Sequence, residues 1–329
     1  MTQLGILIAF LQAGVLAIAF FQHPRRHLPF YGWVGLVGLL SAEGLLFGGV
    51  RPVGIYFTPI AWTCYILLAD AAVFAIRGHS RLHDRAQHFA RLALLSIPLW
   101  LIFEAYNLRL RNWTYAGVPQ TWPLALLGYA WSFATITPAI FETADLIESF
   151  GWFPAVEGIQ FSWGFRGGMI LSGAICLLLP LLVPQAIARR LFLLVWIGFV
   201  FLLDPINYHL GLPSLLGDFQ RGRRSRFYAL LISGSVCGWF WEFWNYWAAA
   251  KWYYIFPMFQ RFKVFEMPIP GYLGFFPFAL ECFVMYVTSA AILRLLNRNH
   301  DEWYSYGWDL PAGASKPKQD KEREFPDRA

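Results

Sequence analysis

Hydrophobic residues in this chain come in blocks of roughly 20, separated by short segments that carry charged residues, prolines and glycines. A helix needs about 20 apolar residues to cross about 30 Å of hydrocarbon. The pattern therefore predicts nine membrane-spanning helices. They are expected near residues 4–21, 30–49, 54–76, 91–108, 123–147, 167–183, 188–209, 226–249 and 271–296.

Composition leads to the same fold class, an all-α polytopic transmembrane bundle. Hydrophobic residues make up 57% of the chain and charged residues only 14%. A soluble domain is usually about 45–50% apolar and about 25% charged. The net charge of +6 comes mostly from loops and the C-terminal segment, so we expect no nucleic-acid partner.

The basic residues predict how the chain is oriented in the membrane. They concentrate in the loops after the first, third and seventh predicted spans, at Arg25, Arg26, Arg77, Arg81, Arg85, Arg91, Arg221, Arg223, Arg224 and Arg226. With nine spans these loops and the tail 297–329 fall on one side, which the positive-inside rule makes cytoplasmic. We therefore expect the N-terminus outside and the C-terminus cytoplasmic, in a bacterial inner membrane.

Two stretches of the chain resemble each other in sequence. The matching segments are WTCYILLAD (62–70) and WIGFVFLLD (196–204), FEAYN (103–107) and WEFWN (241–245), NWTY (112–115) and KWYY (251–254), and PAIFE (138–142) and PFALE (277–281). The offset between partners is 134 in the first pair, 138 in the second and 139 in the last two, and it changes only in predicted loops. A duplication with two parallel repeats is the simplest account of this pattern.

The duplication divides the chain into four parts. They are an N-terminal span and loop at 1–29, a first transmembrane repeat at 30–160, a second at 161–296, and a charged, disordered cytoplasmic tail at 297–329.

Acidic residues recur inside the predicted spans. The paired positions are Asp70, Glu104, Glu142, Asp204, Glu242 and Glu281. A charge at mid-bilayer costs at least about 2.5–3.5 kcal/mol, so such side chains are expected to face the protein interior. Asn107 and Asn245 each follow a glutamate by three residues, on the same helix face. Hydrogen bonding between helices is one interpretation of this set, and a functional interior site is the other.

Aromatic residues accompany these acids. The eighth predicted span and its end read GWFWEFWNYWAAAKWYY, which contains Trp241, Trp244, Trp252 and Tyr254, and Trp113 is the match of Trp252 in the first repeat. Such walls suit a flat or polyene ligand, or a cation stabilised by ring faces. The spans contain almost no histidine and no Gly-rich phosphate loop, so we expect no cofactor and no metal.

The order of these residues is similar to the repeat of membrane lycopene cyclase domains. The resemblance rests on Glu242, Asn245, Trp252, Tyr254, Pro277 and Glu281, and on Glu104, Asn107, Trp113, Tyr115, Pro138 and Glu142 in the other copy. It covers about two spans and one loop in each half. Where the family has adjacent acids shortly after the proline, this chain has the single Glu281. The resemblance implies a membrane enzyme of isoprenoid or carotenoid biosynthesis.

The leading hypothesis is an enzyme that cyclises or isomerises an isoprenoid or another membrane lipid by redox-neutral, acid-initiated chemistry. The proton donor would be Glu242 or Glu281, and Glu104 and Glu142 would be their catalytic counterparts. The expected substrate-binding residues are Asp70, Asn107, Trp113, Asp204, Trp241, Trp244, Asn245, Trp252 and Tyr254. Two alternatives stay open, a transporter or channel for a cation or small molecule and a non-catalytic membrane scaffold.

Overall fold

The structure is a computed structural model that describes residues 1–23 and 26–296. The expected tail at 297–329 and Arg25 lie outside the described residues. The helices in chain order are α1 (Thr2–Gln22), α2 (Phe30–Phe47), α3 (Arg51–Ile55), α4 (Phe57–Arg77), α5 (Arg81–Asp84), α6 (Ala86–Leu110), α7 (Trp122–Ser149), α8 (Trp163–Leu182), α9 (Gln185–Ala188), α10 (Phe192–His209), α11 (Leu215–Gln220), α12 (Ser225–Trp247) and α13 (Phe275–Leu296). A 3₁₀ turn, Ile269–Gly274, leads into α13.

Long apolar helices dominate this fold. Eight helical segments in the described residues are long and apolar enough to cross a membrane. The protein is therefore a mainly α-helical membrane protein. Each of the nine predicted spans overlaps a long helix, but α12 is not among the eight segments. Its tryptophans and tyrosines lower its hydropathy although it is 23 residues long.

The long helices form two groups with corresponding neighbours. In the first group α2 packs against α4, α4 against α7, and α7 against α6. In the second group α8 packs against α10, α10 against α13, and α13 against α12. The groups meet where α7 packs against α12 and α6 against α13, and α1 packs on the outside of α12.

Glycines let one pair of helices in each group approach closely. A Cβ atom added to Gly35 on α2 would lie 2.5 Å from the carbonyl oxygen of Cys64 on α4. One added to Gly173 on α8 would lie 2.4 Å from the backbone nitrogen of Leu202 on α10. Small residues at such contacts are typical of helix packing in membranes, where van der Waals contact replaces the hydrophobic effect.

Two short antiparallel ribbons add to the helices. Strand β1 (Trp113–Ala116) follows α6, and β2 (Lys251–Tyr254) follows α12. They pair with Trp113 opposite Tyr254 and Tyr115 opposite Trp252, so this ribbon joins the two helix groups at one end, here called the ribbon end. The second ribbon consists of β3 (Lys263–Val264) and β4 (Met267–Pro268). The all-α prediction missed these strands because each is only two to four residues long.

Ion pairs lie at the opposite end, here called the basic end. The Nε atom of Arg81 lies 2.6 Å from Asp145, and Arg226 lies 2.6 Å from Asp218. These four side chains are between 5% and 11% exposed. Removing one member of such a buried pair typically costs about 3–5 kcal/mol, because its partner keeps a charge without compensation. The basic end is therefore tied together by charges, and the ribbon end by backbone pairing.

Candidate functional site: an aromatic cavity between the two helix groups

A cavity lies at the ribbon end, with walls from both helix groups. It contains about 1080 Å³ of empty space, part of which is open to the exterior. Its walls are mostly apolar and rich in aromatic rings. The aromatic side chains that line it are Tyr56, Trp62, Trp100, Trp113, Tyr115, Tyr129, Phe133, Trp196, Trp241, Trp252, Tyr254, Phe275 and Phe278.

Glu104 on α6 anchors the cavity wall of the first group. Its Oε1 atom accepts hydrogen bonds from the Nε1 atoms of Trp100 and Trp113, at 2.9 and 3.0 Å. The hydroxyl of Tyr115 donates to the same oxygen. Three donors thus converge on one carboxyl oxygen, and all three belong to residues that line the cavity.

Glu242 on α12 likewise accepts hydrogen bonds from the cavity wall of the second group. The hydroxyl of Tyr254 donates to its Oε1 atom at 2.8 Å, and the Nε1 atom of Trp252 lies 3.3 Å from it. Glu242 has no exposed surface, and its second oxygen has no hydrogen-bond partner among the described residues. Burial without a cationic partner favours the neutral acid over the carboxylate.

The number of donors differs between the two acids for a reason visible in the sequence. The third donor to Glu104 is Trp100, one helical turn earlier. At the offset of 138 that relates Glu104 to Glu242, the corresponding residue is Gly238. A Cβ atom at Gly238 would lie 2.3 Å from the ring of Phe275, so this place is already filled.

The tyrosine hydroxyls connect the cavity to the acids. Tyr115 and Tyr254 both line the cavity and both donate to a glutamate behind its wall. Burial, and then the neighbouring carboxyl group, raises the pKa of each hydroxyl well above its ordinary value. Both tyrosines therefore stay protonated at neutral pH and can act as hydrogen-bond donors.

Two asparagines hold the strands that carry these tyrosines. The side chain of Asn245 accepts from the backbone N–H of Trp252 at 2.9 Å and donates to its carbonyl at 3.0 Å. Asn107 does the same for Trp113, and also accepts from the N–H of Asn112. The side-chain hydrogen bonds of both asparagines thus go to the backbone at the strands, and neither residue lines the cavity, although both were expected to bind substrate.

The remaining acids lie away from the cavity. Asp70 accepts from Tyr31, Ser80 and the N–H of Leu82. Asp204 accepts from the first two N–H groups of α11, at 2.6 and 2.9 Å. Both hold the start of a short helix, which is a structural task.

Glu142 and Glu281 are fully buried but do not line the cavity. Glu281 accepts from the N–H of Phe199 at 3.2 Å. Neither oxygen of Glu142 has a hydrogen-bond partner among the described residues. The structure thus places two of the four proposed catalytic acids, Glu104 and Glu242, directly behind the cavity wall.

The expected substrate-binding residues are divided in the same way. Trp113, Trp241, Trp252 and Tyr254 line the cavity. Trp244 lies behind it, with its ring 4.8 Å from that of Trp62, and donates to Glu43 at 3.2 Å. That the four lining residues bind substrate stays a prediction.

Sequence reasoning did not select several residues of the wall. Trp62 and Trp196 occupy matching positions in the two similar stretches of sequence, and this recurrence was a usable signal for both. Trp100 lies four residues before Glu104, a spacing that brings side chains together on a helix. Phe133 and Phe278 lie in apolar segments that resemble ordinary core, so only the tertiary structure identifies them.

The fold and the cavity together define the class of this protein. It is a mainly helical membrane protein with an aromatic cavity between two helix groups and an acid behind each wall, half-buried Glu104 in one and fully buried Glu242 in the other. In comparisons with known proteins, the chain matches no protein family, no curated protein and no solved structure.

Proposed function

We propose that the cavity binds an isoprenoid or another long, unsaturated lipid, and that the two tyrosine–glutamate pairs catalyse its redox-neutral isomerisation or cyclisation. The observation that carries the proposal is the link from the cavity through Tyr115 and Tyr254 to Glu104 and Glu242. A wall of aromatic rings suits an apolar polyene. Their faces also stabilise a positive charge that develops within the cavity.

The proposed reaction begins at Tyr254. Its hydroxyl turns from Glu242 towards the substrate and gives its proton to a carbon of a double bond, while the proton of neutral Glu242 passes to the tyrosine oxygen. The substrate becomes a carbocation and Glu242 a carboxylate. General acid catalysis of this kind typically contributes about 10²–10⁴-fold to a rate.

The reaction ends at the other pair. The carbocation, before or after ring closure, loses a proton to the oxygen of Tyr115, whose own proton passes to the carboxylate of Glu104. A double bond forms at a new position, and no electrons enter or leave. Transfer of a proton from Glu104 back to Glu242, by exchange with solvent, restores the starting state.

We also infer that the two helix groups arose by duplication and that nine helices, α12 included, cross the membrane. The paired acid, asparagine and strand support the duplication. So do Gly35 and Gly173, whose added Cβ atoms would lie 2.9 Å and 2.4 Å from the backbone nitrogens of Leu68 and Leu202.

The orientation is part of the proposal. With nine spans, the basic end faces the cytoplasm of a bacterial cell, and the cavity opens near the opposite face of the inner membrane. An alkaline phosphatase fused at the α6–α7 loop should then be active, and an active fusion at the α4–α6 loop instead would refute this orientation.

The activity is tested by expression in bacterial strains that make different linear carotenoids and isoprenoid lipids. Pigment and lipid extracts are compared by mass spectrometry. We expect a product of unchanged mass and different retention time in at least one strain. Glu242→Gln and Tyr254→Phe should abolish it, and Glu104→Gln should reduce it at least about tenfold, if removal of one proton-transfer group has its usual effect.

The control variant is Glu157→Gln, which changes an exposed acid and should leave the product unchanged. Identical extracts with and without the wild-type protein in every strain would contradict the enzymatic proposal.

A further inference from the structure

Two residues of α4 that line the cavity each have a buried polar atom without a hydrogen-bond partner among the described residues. Several described side chains have a buried polar atom that lacks a hydrogen bond, and of these Thr58 and Trp62 line the cavity. The atoms concerned are the Oγ1 hydroxyl of Thr58 and the Nε1 atom of Trp62. The residues are 8% and 0% exposed.

An unpaired buried donor is costly. Leaving a buried polar group without its hydrogen bond costs about 1–3 kcal/mol, and native proteins contain few such groups. A bound molecule with a suitably placed oxygen would remove this cost at both positions. The indole N–H can only donate, whereas the threonine hydroxyl can donate or accept.

The spacing places both residues on one face of the helix. Thr58 and Trp62 are four residues apart on α4, so they lie on the same face of the helix one turn apart. A hydroxyl oxygen can accept from the indole N–H and also pair with the threonine. A carbonyl oxygen can accept from both.

Five other polar aromatic residues of the wall already bond to the glutamates. The Nε1 atoms of Trp100, Trp113 and Trp252 donate to the two glutamates, as do the hydroxyls of Tyr115 and Tyr254. These five residues thus bond to the glutamates, whereas the buried polar atoms of Thr58 and Trp62 have no partner among the described residues.

The combination of a threonine and a tryptophan one helical turn apart occurs in one helix group only. At the offset of 134 that relates Trp62 to Trp196, the residue corresponding to Thr58 is Phe192. The second group therefore lacks the hydroxyl. A hydroxyl one turn from the indole N–H in one wall, and a phenylalanine at the matching place beside Trp196 in the other, would fix the direction in which an elongated ligand lies.

From these observations we propose that the ligand carries an oxygen function, a hydroxyl or a carbonyl group, which binds to Thr58 and Trp62. The inference rests on the proposed function, because it assumes that the cavity holds an isoprenoid or similar lipid. The inference narrows the proposed substrates from unsaturated lipids in general to isoprenoid alcohols, aldehydes or ketones. It also distinguishes the oxygen-binding end of the cavity from the two tyrosine–glutamate pairs.

The test compares two probes that differ in one group. Tritiated geranylgeraniol is bound to the purified full-length protein in detergent and measured by scintillation proximity. It is displaced by unlabelled geranylgeraniol or by the C20 hydrocarbon that has a methyl group in place of the CH₂OH group. We expect the alcohol to bind at least about tenfold more tightly, the ratio that corresponds to about 1.4 kcal/mol.

Two substitutions remove one polar group each and keep the shape of the wall. Thr58→Val and Trp62→Phe should each weaken binding of the alcohol by about three- to tenfold, the range expected for a net hydrogen bond. Binding of the hydrocarbon should stay unchanged. Circular dichroism and thermal unfolding show whether either variant has lost its fold, and Thr58→Val alone suffices if Trp62→Phe does not fold.

The controls change the same residue types elsewhere in this region. Thr63→Val removes a hydroxyl that already bonds to Pro59 and Trp131, and Trp131→Phe removes an N–H that already bonds to Thr63. Neither residue lines the cavity, so both variants should keep the preference for the alcohol.

The outcomes separate the inference from the proposed function. Equal affinity for alcohol and hydrocarbon, or an alcohol preference that survives in Thr58→Val and Trp62→Phe, overturns the inference and leaves the lipid-binding cavity intact. The absence of saturable binding of either probe overturns both proposals.

Discussion

At the scale of single residues, the two glutamates behind the cavity explain how polar aromatic side chains can form an apolar wall. Trp113 and Tyr115 turn their N–H and O–H groups towards Glu104, while their rings line the cavity. Trp252 and Tyr254 do the same at Glu242. The two carboxyl groups therefore accept the hydrogen bonds of these N–H and O–H groups, so no water in the cavity is needed as an acceptor.

The asparagines provide a prediction at this scale. Asn245→Leu keeps the volume of the side chain but leaves the N–H and C=O groups of Trp252 without their partner. We expect a loss of about 1–3 kcal/mol of stability for the unpaired groups, measured by thermal unfolding in detergent.

Asn107→Leu is the matched comparison. Asn107 is half-buried, whereas Asn245 has no exposed surface. Water can replace part of the lost bonds at Asn107, so the decrease in stability should be smaller. An unfolding temperature of Asn245→Leu equal to that of the wild type would show that the strand does not depend on this side chain.

At the scale of secondary-structure elements, the long helices follow from the sequence and the strands do not. A block of about 20 apolar residues can satisfy its backbone inside a membrane only as a helix or in a closed barrel, so the spans could be predicted from hydropathy. Strands β1 and β2 are only four residues long. Each forms because a distant segment supplies its partner, which local sequence does not reveal.

Helix contacts at glycine give the element-scale prediction. Gly173→Ala should destabilise the protein by about 1–3 kcal/mol, the usual range for a methyl group forced into a packed site. The added carbon would meet the backbone of α10 at 2.4 Å. Thermal unfolding in detergent measures the loss.

The control lies on the same helix. Gly168 has no atom within 4 Å of an added Cβ, so Gly168→Ala should leave stability unchanged or raise it slightly. The close packing of α8 on α10 would be refuted if the two variants unfolded at the same temperature.

At the scale of the whole molecule, the two helix groups are joined by helix packing and by a ribbon. The helix contacts are those of α7 with α12 and of α6 with α13, and the ribbon is the β1–β2 pair. The ribbon brings together residues more than 130 positions apart, because Thr114 lies opposite Tyr253. It also places both tyrosine–glutamate pairs around one cavity. The proposed proton transfer requires one tyrosine–glutamate pair on each side of the cavity, and the ribbon between the two helix groups provides this arrangement.

A disulfide across the ribbon tests this arrangement. In a variant in which Cys64, Cys176, Cys237 and Cys282 are replaced by serine or alanine, Thr114→Cys and Tyr253→Cys should form a disulfide on mild oxidation. Directly opposed residues have Cβ atoms about 4.5–5.5 Å apart, within a small movement of disulfide geometry. Cleavage at a protease site inserted between α7 and α8 should then leave the halves linked on a non-reducing gel.

The pair Thr114→Cys and Lys251→Cys is the control. Lys251 lies opposite Ala116, so this pair is two residues out of register and about 7–8 Å apart. Equal cross-linking of both pairs would contradict the register of the ribbon.

The sequence by itself determined the membrane class, the positions of the long helices and the pairing of acids and aromatic residues between two halves. These features depend on local hydropathy and on recurrence along the chain, which need no coordinates. Only the tertiary structure decided that Glu104 and Glu242 lie behind one cavity while Asp70 and Asp204 hold short helices. The reason is physical: a buried carboxyl group needs donors, and whether these come from a cavity wall or from a neighbouring backbone depends on which distant segments the fold brings beside it.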